Sequence, residues 1–241
     1  MTVSKRNTEN RRASIIFVVG TDTGVGKTVL SLLLMQFFFA KGLSPFYIKP
    51  LQTGCIDPYD RDSDARFIYR HVEALQGKDP ADSVIYCFRN PKAPLFAARD
   101  ENRTIDLALI EQKTSEKAAI YDPVIVEGAG GLFVPVTKEA SMADVIALTK
   151  GTPIIAARAG LGTINHTLLT IEALKARGLA PAGVIFIDAG ENKTPPEMIE
   201  ENRLAIIEAS GIKVAGVIGR IDDFSHPPSA CYEPLTGLFP F

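Results

Sequence analysis

Short apolar runs rich in β-branched residues alternate along this chain with longer stretches whose apolar positions recur at helical spacing. Residues 15–19, 45–49, 123–126, 153–157, 182–187 and 214–218 read as strands, and 84–88 as a further, less regular one. Between them, residues 26–41, 62–75, 106–119, 142–150, 163–177 and 196–209 read as helices. That order predicts an α/β fold made of repeated βαβ units, a doubly wound, mostly parallel sheet with helices on both faces. The run 123–126 is apolar throughout, as expected of a strand covered on both sides.

No flexible linker or internal repeat divides the middle of the chain, so residues 15–221 are expected to form a single domain. Residues 222–241 carry Pro227, Pro228, Pro234 and Pro240. They can form neither a long helix nor a central strand, and are read as an extension of the same domain. Residues 1–14 are polar, with Lys5, Arg6, Arg11 and Arg12 and no apolar core, which predicts a disordered terminus and not a secretory signal.

Composition narrows the class. With 46% hydrophobic and 22% charged residues over 241 positions, the chain can bury a substantial core. A formal charge of -2 gives no reason to expect nucleic acid or a membrane as partner. The most apolar run, 29–40, is broken by Ser31 and Gln36 and falls short of the roughly 20 residues that span a bilayer. Cys55, Cys87 and Cys231 are too far apart for a disulfide framework or zinc cluster, which fits a reducing, cytoplasmic setting.

The chemistry concentrates where strands end. Residues 20–28, GTDTGVGKT, lie between a strand and a helix, where backbone N–H groups can surround phosphate oxygens. Lys27 would neutralise terminal phosphates and Thr28 would offer its hydroxyl to magnesium, with Gly24, Val25 and Gly26 supplying backbone. It is a variant phosphate loop, with five residues between the first glycine and the Gly-Lys pair. Lys49, Thr53 and Gly54 follow the second strand on the edge where ligands sit in such sheets. Glu127 ends an apolar strand before the glycines 128, 130 and 131, as a metal-holding acid would. For Asp62 and Asp64, near a helix start, the residues alone leave an N-cap and a functional role equally open. The turn 160–166, GLGTINH, opens a helix on the same edge, where exposed N–H groups could receive a carboxylate and Asn165 could add a side-chain hydrogen bond.

Taken together and in order, GTDTxVGKT at 20–28, KPxxTG at 49–54, SD at 63–64, VEGAGG at 126–131 and LGTINH at 161–166 resemble the dethiobiotin synthetase family, over roughly residues 15–220. The resemblance implies a P-loop NTPase-like ligase of biotin synthesis. It would use ATP and magnesium to close 7,8-diaminononanoate and carbon dioxide into dethiobiotin, releasing ADP and phosphate. On that mapping Lys27, Lys49 and Thr23 are catalytic, Thr28, Asp64 and Glu127 hold magnesium, and Gly24 to Thr28 with Ile187 bind the nucleotide. Lys49, Thr53, Gly128 and Gly130 face the substrate. Gly162, Thr163, Ile164 and Asn165 receive its carboxylate tail from the neighbouring subunit, which implies a homodimer with shared sites.

Two departures bear on function. Family members that read adenine place Asn before Asp where this chain has Ile187 and Asp188, and isoleucine offers no side-chain hydrogen bond. Gly24 stands where some relatives carry glutamate. Two rivals stay open from the residues: a nucleotide-switched partner-binding ATPase, which usually carries a lysine early in the loop, where this chain has Thr21, Asp22 and Thr23; and another ATP-dependent ligase on the same fold. The turn 160–166 separates the second.

Overall fold

A computed structural model describes residues 14–190 and 192–240. The expected disordered terminus therefore falls almost wholly outside the described residues. Seven strands, β1 (Ile15–Gly20), β2 (Phe46–Thr53), β3 (Val84–Phe88), β4 (Val124–Gly131), β5 (Thr152–Arg158), β6 (Gly183–Asp188) and β7 (Val214–Gly219), form one sheet in the order β3-β2-β4-β1-β5-β6-β7. Every neighbouring pair in it is parallel. The chain runs outward from β1 to β2 and β3, returns to insert β4 beside β1, and then continues on the other side of β1. This reversal puts the topological switch point at the carboxyl end of β1, where a doubly wound sheet opens a crevice for ligands.

The helices are α1 (Lys27–Ala40), α2 (Asp64–His71), α3 (Pro94–Asp100), α4 (Leu107–Ala118), α5 (Met142–Thr149), α6 (Thr163–Lys175), α7 (Pro196–Ser210) and α8 (Glu233–Leu238). Alternation along β1 shows how they divide. Phe17 and Val19 enter the core shared with Ile110 of α4, Val145 of α5, Ile171 of α6 and Ile206 of α7. Ile16 and Val18 point the other way, into a second core built from α1, Ile68 of α2 and Leu235 of α8. Period-two strands thus bury both faces. The apolar run expected to be a buried helix is α1, whose Leu30, Leu32, Leu33, Leu34 and Met35 are all sealed.

Four elements differ from the sequence pattern. β4 does not end at Glu127 but runs on through the glycines to Gly131, so the glutamate sits within the strand. β2 continues through Pro50 because its pairing with β4 ends at Ile48 and its pairing with β3 begins at Lys49. The proline lies at the hand-over, where its missing N–H costs no bond to β4. α2 is shorter than the pattern 62–75. It begins at Asp64 and stops at Val72, which turns extended so that Val72 and Leu75 bury in the second core. Residues 94–100, outside every element the pattern predicts, form α3, with Pro94 at its first turn and Ala97 and Ala98 packed inward. The proline-rich end forms a 3-10 turn (Ser229–Tyr232) and then α8, which docks on the edge strand: Pro234 meets Gly216 of β7, where no Cβ stands in its way.

Candidate active site

The phosphate loop leaves β1 at Gly20 and enters α1 at Lys27. Gly24 (φ 69°) and Gly26 (φ 92°) adopt left-handed backbone that favours glycine. At Gly26 the requirement is doubled, because a Cβ there would lie 2.8 Å from Cγ2 of Ile187. Val25 is anchored in the core, so only its backbone is open to a ligand. Lys27 is nearly buried and donates from Nζ to the carbonyl of Asp22 at 3.1 Å, curling over its own loop. Burial first, and the Lys49 charge second, bring the Lys27 pKa down to about 8. Its ammonium thus lacks a full set of anionic partners, which a triphosphate would provide.

Lys49 sits in a different setting. Where backbone pairing of β2 with β4 stops, the next residues on the two strands, Lys49 and Glu127, are joined through their side chains: Nζ lies 2.8 Å from Glu127 Oε1 and 2.7 Å from Asp64 Oδ2. Burial alone would lower the lysine's pKa, but Glu127 and then Asp64 outweigh it and the net shift is upward. Asp64 is correspondingly lowered: burial works to raise its pKa, and the Lys49 charge overcomes it. Thr28 closes the corner, its hydroxyl 2.9 Å from both Asp64 Oδ1 and Glu127 Oε1.

The open question at Asp64 is answered by Ser63. The helix is capped by the Ser63 hydroxyl, which accepts from the Arg66 N–H, and so the Asp64 carboxylate turns to Thr28 and Lys49. Asp62 lines the rim of the same cleft. Sequence reasoning passed over two residues that hold this corner. Gln52 accepts the Asp64 N–H at 3.1 Å, and the Tyr47 hydroxyl donates to Glu127 Oε2 at 2.9 Å. A signal was available for Tyr47: it stands two residues before Lys49 on one strand, and period two puts both on one face.

Among the described residues no three His, Cys, Asp or Glu side chains gather as a metal cluster. A cation here would rest on two carboxylates and one hydroxyl. That all-oxygen set suits magnesium, which keeps waters and phosphate oxygens for its other positions. The Lys49 ammonium already stands between the carboxylates as a cation would.

Lys27, Thr28, Lys49, Thr53, Asp64, Glu127, Thr23, Gly24, Gly26 and Gly130 converge on one cleft of about 450 Å³ at the carboxyl edge. Gly130 (φ 67°) lets the β4 turn close on Val134 and Thr23, where a Cβ would meet Val134 at 2.6 Å. Gly128 lies deeper, against Phe17 and Met142, with its carbonyl 3.3 Å from Lys49 Nζ. Gly162, Thr163, Ile164 and Asn165 are not among the residues lining this cleft. Gly162 (φ 90°) starts α6 without a side-chain cap, Thr163 turns inward to Thr167, and Leu161 and Asn165 are exposed. Ile187 is buried against the loop, and both oxygens of Asp188 are taken by Thr194, at 2.9 and 3.1 Å.

Residues 14–228 match the family model described as an AAA domain. The chain is 43% identical over 183 residues to the ATP-dependent dethiobiotin synthetase BioD of Anaeromyxobacter sp. (strain K), covering 76% of this chain and 78% of that one. It is 35% identical over 227 residues to the protein of the same name from Anaeromyxobacter sp. (strain Fw109-5), covering 94% and 99%. This chain belongs to the dethiobiotin synthetase family. Among solved structures, the MinD cell division protein of Aquifex aeolicus superposes with a TM-score of 0.57 at 14% identity, covering 94% of this chain and 95% of that one. A MinC:MinD complex from the same organism matches with a TM-score of 0.57 at 16% identity, over 94% of each chain. At these identities the likeness shows the fold alone, an α/β sheet of the P-loop NTPase kind.

Proposed function

We propose that this member of the dethiobiotin synthetase family closes the ureido ring of dethiobiotin from 7,8-diaminononanoate, carbon dioxide and ATP, releasing ADP and phosphate. The observation that carries the reading is the convergence of Lys27, Thr28, Lys49, Asp64 and Glu127 on one cleft at the switch point. One amine takes up carbon dioxide as a carbamate, a carbamate oxygen attacks the γ-phosphorus with ADP leaving, and the second amine attacks the activated carbonyl, expelling phosphate. Such a sequence needs positioning and charge neutralisation more than a protein nucleophile.

In this reading Lys27, short of anionic partners in the free chain, turns from the Asp22 carbonyl to the terminal phosphates. Thr28, Asp64 and Glu127 would hold magnesium, which would supply neutralisation of phosphate oxygens there. Lys49, at the same corner, would meet the carbamate and γ-phosphate, where charge develops. Thr23 and Thr53 add hydrogen bonds at the mouth. The α6 turn at 162–165 serves a second copy, receiving the carboxylate tail of the substrate bound there. Three exposed apolar side chains around that turn and its neighbourhood, Leu161, Leu169 and Phe133, support a homodimer through this face. A cytoplasmic setting fits three free thiols.

The test is phosphate release from magnesium-ATP and bicarbonate with and without the diamine, with product mass read in parallel. Release that requires the diamine and yields dethiobiotin is the expected result. Hydrolysis indifferent to the diamine would move the protein to a switch ATPase of the same fold.

A further inference from the structure

Tyr47 is buried at the floor of the site, 1% exposed, and its hydroxyl has one purpose in the structure: it donates to Oε2 of Glu127 at 2.9 Å. Its backbone is held separately. Ser83 donates to the Tyr47 carbonyl at 2.7 Å, and Ser83 in turn lies 2.9 Å from the hydroxyl of Tyr69 on α2. The consequence is a division of labour within one carboxylate. Oε2 is committed to the phenol, while Oε1 alone faces the Thr28 hydroxyl and the Lys49 ammonium.

A terminal carboxylate torsion is soft, so nothing in Glu127 itself prevents the group from turning both oxygens toward a cation. Bidentate carboxylates suit calcium, whose shell is large and irregular. Magnesium demands near-octahedral geometry at short distances, which one oxygen per carboxylate satisfies. We propose that Tyr47 is a positioning residue that holds Glu127 to a single offered oxygen and thereby makes this site favour magnesium over calcium. This rests on the reading of Thr28, Asp64 and Glu127 as the metal-holding set, and it adds a residue that the motifs of the chain do not mark.

The experiment measures calorimetric affinity of the full chain for a non-hydrolysable ATP analogue, with magnesium, with calcium and with neither, in the wild type and three variants. Tyr47→Phe removes one oxygen and keeps the ring. It should weaken the magnesium-dependent gain in affinity by about 10-fold, at the lower end of what loss of a partner behind a metal ligand costs. The calcium-dependent gain should fall less or rise, so that the ratio between the two metals drops. Tyr69→Phe removes a neighbouring buried hydroxyl, bonded to Ser83, which bonds the Tyr47 backbone and not the phenol that meets Glu127. It is expected to lower the melting temperature without changing the ratio, which separates positioning from general loosening. Glu127→Ala should abolish the metal-dependent gain. An unchanged metal ratio in Tyr47→Phe, or one that Tyr69→Phe shifts equally, overturns the inference. Metal-dependent gain persisting in Glu127→Ala overturns instead the metal-site reading beneath it.

Discussion

The cleft at the end of β1, β2 and β4 and the N-terminal turn of α6 both lie on the carboxyl edge of one sheet, yet they are built in opposite ways. In the cleft, the carboxylates find their partners within the chain. Lys49 bridges Asp64 and Glu127, Tyr47 and Thr28 complete their hydrogen bonds, and among the described residues no buried side-chain polar atom lacks a partner. At the α6 turn the chain leaves Leu161 94% exposed and Leu169 62% exposed, and it starts the helix on an uncapped glycine. The contrast teaches that buried carboxylates must be paired before the ligand arrives, since unpaired buried charge is costly, whereas an apolar surface can await a second copy.

The sharpest way to break the comparison is at its two lysines. Lys27→Ala and Lys49→Ala are each expected to abolish turnover, a loss of about 1,000-fold or more for removing a cation aimed at transferring phosphate. Their effects on the free protein should diverge. Removing Lys49 leaves two carboxylates facing each other without their cation, a cost of about 3–5 kcal/mol of the kind seen when a buried pair loses one partner. Lys27 carries a charge that burial already disfavours, so its removal should cost far less stability. Chemical denaturation without metal reads the difference, and magnesium should restore part of what Lys49→Ala loses. Equal stability of the two variants would mean that Lys49 is no internal counter-ion, and near-normal turnover by either would remove its assigned role.

Next in size is the exposed face. Leu169→Asp, placed on α6 beside the cleft lined by Phe133 and His166, should turn a dimer into a monomer in sedimentation and cut diamine-dependent turnover by about 10-fold or more. Affinity for the nucleotide should stay within about two-fold, because Lys27 and Thr28, which meet its phosphates, belong to one chain and lie away from this face. A monomeric wild type, or a variant that stays dimeric and fully active, would take the second copy out of the proposed site.

The same contrast explains what could be read in advance. Strand and helix order were legible because period two and helical spacing alternate so regularly; Lys27 and Thr28 were legible because they open a helix on the ligand edge, and Lys49 and Glu127 because each closes an apolar run there, although both strands continue past them. Asp64 was ambiguous because an aspartate at a helix start serves equally as a cap, and the deciding fact, that Ser63 caps instead, is a matter of three-dimensional geometry. Tyr47 and Gln52 were hidden in apolar and motif positions whose partners lie 80 and 12 residues away. The extension of β2 past Pro50 was obscured because the rule against proline in strands holds for a ladder, and there the ladder changes partner. α3 was missed as a short segment with no periodicity to count.

The smallest effect expected is at the base of the nucleotide. Discrimination of 10⁴-fold or more arises where a site is built to hydrogen-bond one partner and is left unsatisfied by another, whereas apolar walls separate ligands by about 10- to 200-fold at most. At the end of β6, where family members that read adenine use an Asn, Ile187 is turned onto Gly26 and each oxygen of Asp188 accepts one hydrogen bond from Thr194. The Ile187 side chain has no group that could hydrogen-bond a base edge. Replacing ATP by GTP or CTP should therefore change kcat/KM for the triphosphate by less than about 10-fold, with the change carried by KM, since the phosphates and not the base meet Lys27 and Thr28. A preference for ATP above about 1,000-fold would show that other groups at the β6 and β7 ends recognise adenine. A flat series would mean that this chain selects its nucleotide at the phosphate end, with the level of selectivity that the apolar Ile187 allows.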